Sequence, residues 1–341
     1  MERVRVILCG LGAMGSGMAK ALLKRSNVEI VGALEVSEAR VGKTLSTVIG
    51  EGDCNVIVSN DPDAVLRPGA ADIVLIATSS FVEVVRPQIE QAVRAGMNVI
   101  TIAEEMAYPA AQDPEVTRAL DALAKEQGVT ILGTGINPGF VLDALILMLT
   151  SVCLDVQAIH AQRVNDLSEF GPMVMRTQGV GTTPEQFDAG IRDGTIVGHV
   201  GFPQSMGMIA DALGWKLDEI VEAKEPIIST VYRKTPHVAI EPGMVAGCRH
   251  IAYGKQNGQV KLTIEHPQQV RPDLAGVETG DYIQITGTPN INLHIKPEIP
   301  GGIGTIAMAV NMIPHVLAAS PGLKTMPELR LPVAMLPEVV K

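Results

Sequence analysis

Aromatic residues make up only 3% of the 341-residue chain, with a single Trp, so its core has to be built from Val, Ile, Leu, Ala and Met. Cysteine is nearly as scarce. Cys9, Cys54, Cys153 and Cys248 show no C-x-x-C spacing, and Cys9 sits inside an apolar run. That pattern fits buried, reduced thiols and argues against a disulfide framework or a zinc site. Basic runs are missing too. Nothing longer than Lys24–Arg25 and Arg233–Lys234 occurs in a chain of net charge −10, which excludes the electrostatic footprint of a nucleic-acid-binding protein. The longest nearly apolar stretch, Phe140 to Val152, is broken by Asp143 and is too short to span a bilayer. Met1-Glu2-Arg3 runs directly into a strand-like segment, so no secretory leader is expected and the expected location is the cytoplasm. What remains, 46% hydrophobic and 19% charged, excludes intrinsic disorder. The length suits about two domains.

The first 135 residues alternate between two periods. Val4 to Cys9, Val28 to Leu34, Asn55 to Val58, Ile73 to Ala77, Asn98 to Ile102 and Val129 to Leu132 read as short strands. Helical spacing over Ala13 to Lys24, Val84 to Ala95 and Pro114 to Gln127 separates several of them. Continuous apolar strands alternating with helices predict a parallel sheet covered on both faces, a doubly wound α/β domain of the Rossmann type over 1–135. Beyond a helix expected at about Pro138 to Thr150, longer strand-like runs appear at Val156 to Val164, Ile227 to Tyr232, Val260 to Glu265, Tyr282 to Thr286 and Ile291 to Ile295. Helices at Pro184 to Arg192 and Gln204 to Leu213 interrupt them. The expectation for 136–341 is an α+β domain with a mixed or antiparallel sheet. A closing helix, Ile303 to Ala319, is a candidate to pack back on the first domain.

Gly10-Leu11-Gly12-Ala13-Met14-Gly15 matches G-x-G-x-x-G between the first strand and the first helix. The first glycine permits the tight turn, the second lets a pyrophosphate approach the backbone, and the third lets helix and strand pack closely. Ala13 and Met14 would offer N–H groups at the helix start to the phosphates. Glu35 closes the second strand where an acid contacts ribose hydroxyls and repels a 2′-phosphate. NAD is therefore the expected cofactor, with NADP the alternative because Arg40 lies close by. Thr78-Ser79-Ser80, after the fourth strand, should form a second loop over the cofactor.

Two further segments lie at carboxyl ends of strands, where ligands bind in such sheets. Glu104-Glu105 could supply a general base with its pKa raised by partial burial, or could cap a helix or face water. Gly133 to Phe140 is a glycine-rich turn that brings N–H groups and the Asn137 side chain near a ligand. In the second domain Arg163 and Asn165 share one face of a strand, and His160 has the opposite parity to Arg163. His266 ends another strand just before Pro267. An Arg with a His could hold a carboxylate, or could be a sheet-surface pair. The remaining histidines form no metal-like set and read as structural.

The fingerprint, Ala103-Glu104-Glu105-Met106, and Gly133-Thr134-Gly135-Ile136-Asn137-Pro138-Gly139-Phe140 together resemble the 2,4-diaminopentanoate dehydrogenase family, over essentially the whole chain. That family includes amine dehydrogenases and is related in its first domain to dihydrodipicolinate reductase. The resemblance implies NAD(P)-dependent oxidative deamination of a small diamino acid at its 4-amino group, and a homodimer formed through the second domain's sheet. It makes Glu104 the catalytic glutamate. Asn137, Phe140, Arg163, Asn165 and His266 become substrate-binding positions, with Asn137 also beside the cofactor. A 3-hydroxyacid dehydrogenase would need a lysine in the helix after the cofactor domain, and Pro138 to Thr150 has none. Dihydrodipicolinate reductase would need paired histidines, and no two are adjacent. A catalytically silent NAD-binding sensor is the remaining rival.

Overall fold

A computed structural model of the chain describes residues 3–336. The first stretch alternates β1 (Val4–Cys9), α1 (Ala13–Leu23), β2 (Val28–Leu34), α2 (Leu45–Ile49), β3 (Val58–Ser59), α3 (Pro62–Val65), β4 (Ile73–Ile76), α4 (Val82–Arg94), β5 (Asn98–Thr101), α5 (Pro114–Gln127) and β6 (Thr130–Gly133). The middle holds α6 (Ala144–Thr150), β7 (Asp155–Asp166), α7 (Pro172–Thr177), α8 (Pro184–Asp193), α9 (Phe202–Leu213) and β8 (Glu219–Ile228). After it come β9 (Arg233–Lys234), β10 (Ala239–Ile240), β11 (Val245–Gln256), β12 (Gln259–Gln269), β13 (Gly280–Thr288) and β14 (Ile291–Ile295). The chain closes with α10 (Gly301–Asn311), α11 (Ile313–Leu317) and β15 (Gly322–Lys324). The described residues fall into two units, one within Met1–Phe140 and Gly301–Lys341, the other Val141–Pro300.

The first unit is a seven-stranded sheet in the order β15-β6-β5-β4-β1-β2-β3. Its named strand pairs are all parallel. Apolar runs form these strands because helices cover both faces: β4 is buried at every position, and Val85, Ile89, Ala92, Leu120 and Ala124 of α4 and α5 complete the core. α5 has clear stops. The Asp113 carboxylate accepts from Val116 N at 2.9 Å, Pro114 occupies the first turn, and Gly128 ends the helix in the left-handed conformation. The strand order reverses at β1, which lies between β2 and β4, so their carboxyl ends open the crevice where such sheets bind ligands.

The second unit is built on a six-stranded mixed sheet, β14-β13-β7-β12-β11-β8, in which β7 and β12 pair in parallel and the other neighbours antiparallel. Ile159, Ala161, Leu262, Ile264, Ile283 and Ile285 share one face and are buried. A two-stranded ladder of β9 and β10 lies outside this sheet.

The Rossmann sheet and the mixed second sheet are as expected, while several element bounds differ. Residues from 301 onward belong with the first unit: β15 extends its sheet beside β6 and α10 lies along α1. The expected closing helix is two, α10 and α11, with Pro314 in the first turn of the second. The helix expected from Pro138 starts only at Ala144, where Asp143 caps it. The strand expected at Ile227 to Tyr232 overlaps only the last two residues of β8, the edge strand that starts at Glu219. β11 is absent from the expectation altogether.

Gly10 and Gly15 fix the turn between β1 and α1. Gly10 has φ +86°, and a Cβ on Gly15 would stand 1.8 Å from the Gly10 carbonyl oxygen. Gly15→Ala must push backbone apart, and overpacking of this kind costs about 1–3 kcal/mol. A thermal melt is expected to show that loss; an unchanged Tm would contradict the close approach.

Candidate active site

At the carboxyl edge of the first sheet, α1 begins with no side chain capping its N–H groups among the described residues, none of which comes within 4 Å of where a Cβ of Gly12 would be apart from its chain neighbours. Uncapped donors facing open space fit a pyrophosphate over Gly12, Ala13 and Met14. Glu35, just beyond β2, accepts through Oε2 from Leu11 N (3.1 Å) and Arg40 (2.9 Å), and through Oε1 from Val36 N (2.8 Å) and Ser37 N (3.2 Å). Burial alone would raise its pKa. The hydrogen bonds from Arg40 and these amides prevail and hold the carboxyl below its usual range, so the loop after β2 carries an anion of the kind that suits ribose hydroxyls. Arg40 also donates to the Leu11 carbonyl at 2.9 Å, which ties it to Glu35 and the turn together. The residues present therefore fit a dinucleotide.

The Thr78-Ser79-Ser80 loop follows β4. Thr78 donates to Gln88 Oε1 at 2.8 Å and Ser79 Oγ accepts from Phe81 N at 3.2 Å, leaving Ser80 to engage the next segment. The Ser80 carbonyl accepts from Glu105 N at 3.2 Å, and its hydroxyl hydrogen-bonds the Glu104 carboxyl. The two glutamates start a 3-10 turn, Glu104–Ala107, directly after β5. Their tasks differ. Glu105 Oε2 accepts from Val82 N at 2.7 Å, at the first residue of α4. Glu104 is half-buried, and no Lys or Arg pairs with it among the described residues. Burial pushes its carboxyl upward and the neighbouring Glu105 charge adds to this, against the Ser80 hydrogen bond. Asn137 and Phe140 lie half-buried on the loop that follows β6, in the same unit. Ile136 N on that loop donates to Thr305 Oγ1 of α10 at 3.3 Å.

The second unit places the other candidates in one row across four neighbouring strands. Asp281 on β13 pairs in register with Arg163 on β7, and His266 on β12 with His250 on β11. All are buried, as is Asn165. Arg163 donates to Asp281 Oδ1 and to the Ile299 carbonyl, both at 2.5 Å, and is 1% exposed. Its guanidinium is thus engaged inside the protein and is not an open fork. His266 Nε2 meets Asn165 Oδ1 at 2.7 Å. His266 lies inside β12 and does not end it, since the strand runs through Pro267 to Gln269. Burial, then the charges of His199 and Arg163, keep His266 well below the ordinary imidazole pKa. His160 points to the opposite face, where it meets Glu265 at 3.0 Å. Sequence reasoning missed His250, which completes this row, and His199, which stands against it: the His199 and His266 rings meet edge-on at 4.7 Å between centroids. The loop before α9 brings His199 to His250 of β11, whose register with β12 sets it beside His266, and spacing carries no sign of either. Among the described residues no set of three or more His, Cys, Asp or Glu is arranged for a metal ion, and no helix is long and apolar enough to cross a membrane.

Residues 4–135 match the oxidoreductase family with an NAD-binding Rossmann fold, and residues 140–341 match the C-terminal domain of 2,4-diaminopentanoate dehydrogenase. The chain is 49% identical over 343 positions to the 2,4-diaminopentanoate dehydrogenase of Acetoanaerobium sticklandii, covering 98% of this chain and 96% of that one. It is 25% identical to the amine dehydrogenase of Streptomyces virginiae, covering 94% of each. The solved structure of the amine dehydrogenase from Mycobacterium smegmatis is similar at a TM-score of 0.85 and 30% identity, over 97% of both chains. The first unit is accordingly an NAD-binding Rossmann domain.

Two measurements check these electrostatics. Glu35→Ser is expected to narrow the ratio of kcat/KM between NAD and NADP; an unchanged ratio would show that Glu35 does not face the ribose. A raised pKa at Glu104 means the native state holds that proton more tightly than the unfolded chain. Wild-type stability should then fall as pH rises through the folded value, starting from the ordinary carboxyl range at about 4. Glu104→Gln, which cannot ionise, should melt at or above wild type at neutral pH, with the advantage vanishing in acid. A variant that is less stable at neutral pH than in acid, relative to wild type, would contradict the assignment.

Proposed function

The chain belongs to the 2,4-diaminopentanoate dehydrogenase family, and from that premise we propose that it oxidatively deaminates 2,4-diaminopentanoate at C4 to 2-amino-4-oxopentanoate and ammonia. The observation that carries this reading is Glu104, a half-buried carboxyl at the end of β5 with a raised pKa and no cation beside it. NAD, when bound, supplies the hydride acceptor.

An ammonium group cannot release hydride from its carbon, because no lone pair is available to stabilise the cation that develops. Glu104 removes that proton from the 4-ammonium. Once that proton has passed on to solvent, the Glu104 carboxylate stands beside the iminium carbon, where its negative charge favours the cation. The same carboxylate accepts a proton from the attacking water, returns it to the amine of the carbinolamine, and takes the hydroxyl proton as ammonia leaves and the ketone forms. A carboxyl with a raised pKa serves both directions of transfer better than one at its ordinary value. Ser80, hydrogen-bonded to Glu104, orients the carboxyl. Asn137, Phe140, Asn165 and His266 hold the amino-acid end. Arg163, locked to Asp281, sets the charge and shape of that subsite. Holding the carboxylate end places C4 rather than C2 for hydride loss, and orientation of this kind is worth several kcal/mol of barrier.

We further propose a homodimer through the sheet face that carries His160, Gln162, Arg249 and Glu265. That face is polar and half-exposed, with Glu265 bridging His160 and Arg249. Sedimentation should give twice the chain mass.

Glu104→Gln is expected to lower kcat by roughly 10²–10⁴-fold with NAD affinity retained. Glu105→Gln, which keeps an acceptor for Val82 N, should be far milder. A collapse confined to Glu105→Gln would move the base one residue along. His266→Leu should raise KM for the diamino acid while sparing a carboxylate-free amine; equal losses on both would make His266 a fold residue.

A further inference from the structure

Buried polar groups on a sheet face are tolerated only when they are partnered, and the polar row of the second unit has been partnered with unusual care around one peptide. The Gly198–His199 peptide unit is gripped at both ends. Its carbonyl accepts from Gln178 Nε2 at 2.8 Å, and its N–H donates to His250 Nδ1 at 3.1 Å. Gln178 and His250 are both buried. Gly198 has φ +69°, and a Cβ there would come within 3.1 Å of His250 Nδ1, so only glycine allows the ring to close on the backbone.

The clamp continues outward. His250 Nε2 lies 2.8 Å from Glu222 Oε2, and the hydrogen bond from His250 holds that carboxyl below its ordinary range. Nδ1 accepts from the His199 amide, so the hydrogen shared with Glu222 sits on Nε2. Phe202, at the start of α9, packs on both imidazoles, 4.6 Å from His250 and 5.1 Å from His199. The result is a rigid mount for one side chain, His199, whose ring stands edge-on against His266. The His199 Nε2 atom is enclosed and has no hydrogen-bond partner among the described residues. An enclosed nitrogen without a partner, on a mount made of three other polar side chains, is the signature of a group waiting for a ligand.

The chemistry of that ligand follows from the charges present. The two acids of the cluster are satisfied, Asp281 by Arg163 and Glu222 by His250. Burial and the charges of His250 and Arg163 push His199 down to about 3, so it is a neutral imidazole that can donate one N–H. Lys224 lies beside Gly198, its Cε 3.3 Å from the position a Cβ would take there. Donors and cations without a free acid suit an anion.

Resting on the functional reading above, we propose that His199 is a further substrate-binding residue that donates Nε2–H to the substrate's α-carboxylate, and that Gln178, His250 and Glu222 are positioning residues for it.

The test compares His199→Phe, which keeps a ring in the stack, with His199→Gln, whose amide nitrogen can stand where Nε2 does. Each is assayed at saturating NAD with the diamino acid and with 2-aminopentane, which has no carboxylate. Binding of 2-aminopentanoate, which has the carboxylate but no 4-amino group, is followed by calorimetry. His199→Phe is expected to raise KM for the diamino acid roughly ten- to a hundredfold with kcat and 2-aminopentane turnover little changed, and to weaken 2-aminopentanoate by the same factor. His199→Gln should recover part of the loss, and His250→Phe should reproduce it in weaker form. Unchanged KM and binding in His199→Phe, or equal losses on both substrates with a lowered Tm, would overturn the assignment. No turnover of the diamino acid by the wild-type chain would overturn the functional reading instead; in that case 2-aminopentanoate binding that is lost in His199→Phe still upholds the subsite, and absence of binding to wild type overturns both.

Discussion

A carboxylate taken partly out of water without a cation to compensate it is the constraint on which this account depends. Glu104 meets it because the work that would otherwise neutralise or distract it is done by its neighbours. Glu105, one residue on, caps the first turn of α4 through Val82 N, and Ser80 accepts from the Glu105 amide while hydrogen-bonding the Glu104 carboxyl. The loops after β4 and β5 therefore lock each other. Parallel pairing of β4 with β5, from Ile73↔Asn98 to Ile76↔Thr101, is what brings those two loops to the same edge of the sheet.

The second unit solves a related problem in the opposite way. Along most of its length one face of the mixed sheet is apolar, but at one end Asp281, Arg163, Asn165, His266 and His250 replace aliphatic residues. Removing charges from water in this way is costly unless each is paired. The pairing is close to complete: arginine with aspartate, histidine with asparagine, histidine with glutamate. A core made only for stability would use Ile and Leu here, as the rest of the same face does. Polar groups held this tightly keep a small number of donors at fixed positions, which is what recognition of a short, charged substrate requires.

The parts of this arrangement that were legible in the sequence are those that local spacing encodes. Gly10 to Gly15 with Glu35 some twenty residues later is a local pattern, and the apolar strands of the first unit are continuous runs. β11 was not legible because Gly247, Arg249, His250 and Gly254 break any alternation, and it is held by its register with β8 and β12. The roles of Glu104 and Glu105 could not be separated either, since a 3-10 turn sends adjacent side chains to different partners and no periodicity predicts which goes where. His199 and His250 read as scattered structural histidines because their meeting is made by a loop and a strand 51 residues apart. Spacing left Arg163 open between a carboxylate holder and a sheet-surface residue, because its partner Asp281 lies 118 residues away on a neighbouring strand.

The central claim is that hydride leaves C4 of a diamino acid. The most direct measurement is to supply 2,4-diaminopentanoate deuterated at C4 with NAD and to weigh the reduced nicotinamide by mass spectrometry. The account predicts that deuterium appears in the reduced cofactor and is absent from the ketone product. Retention of the C4 label, with transfer instead from substrate deuterated at C2, would contradict it.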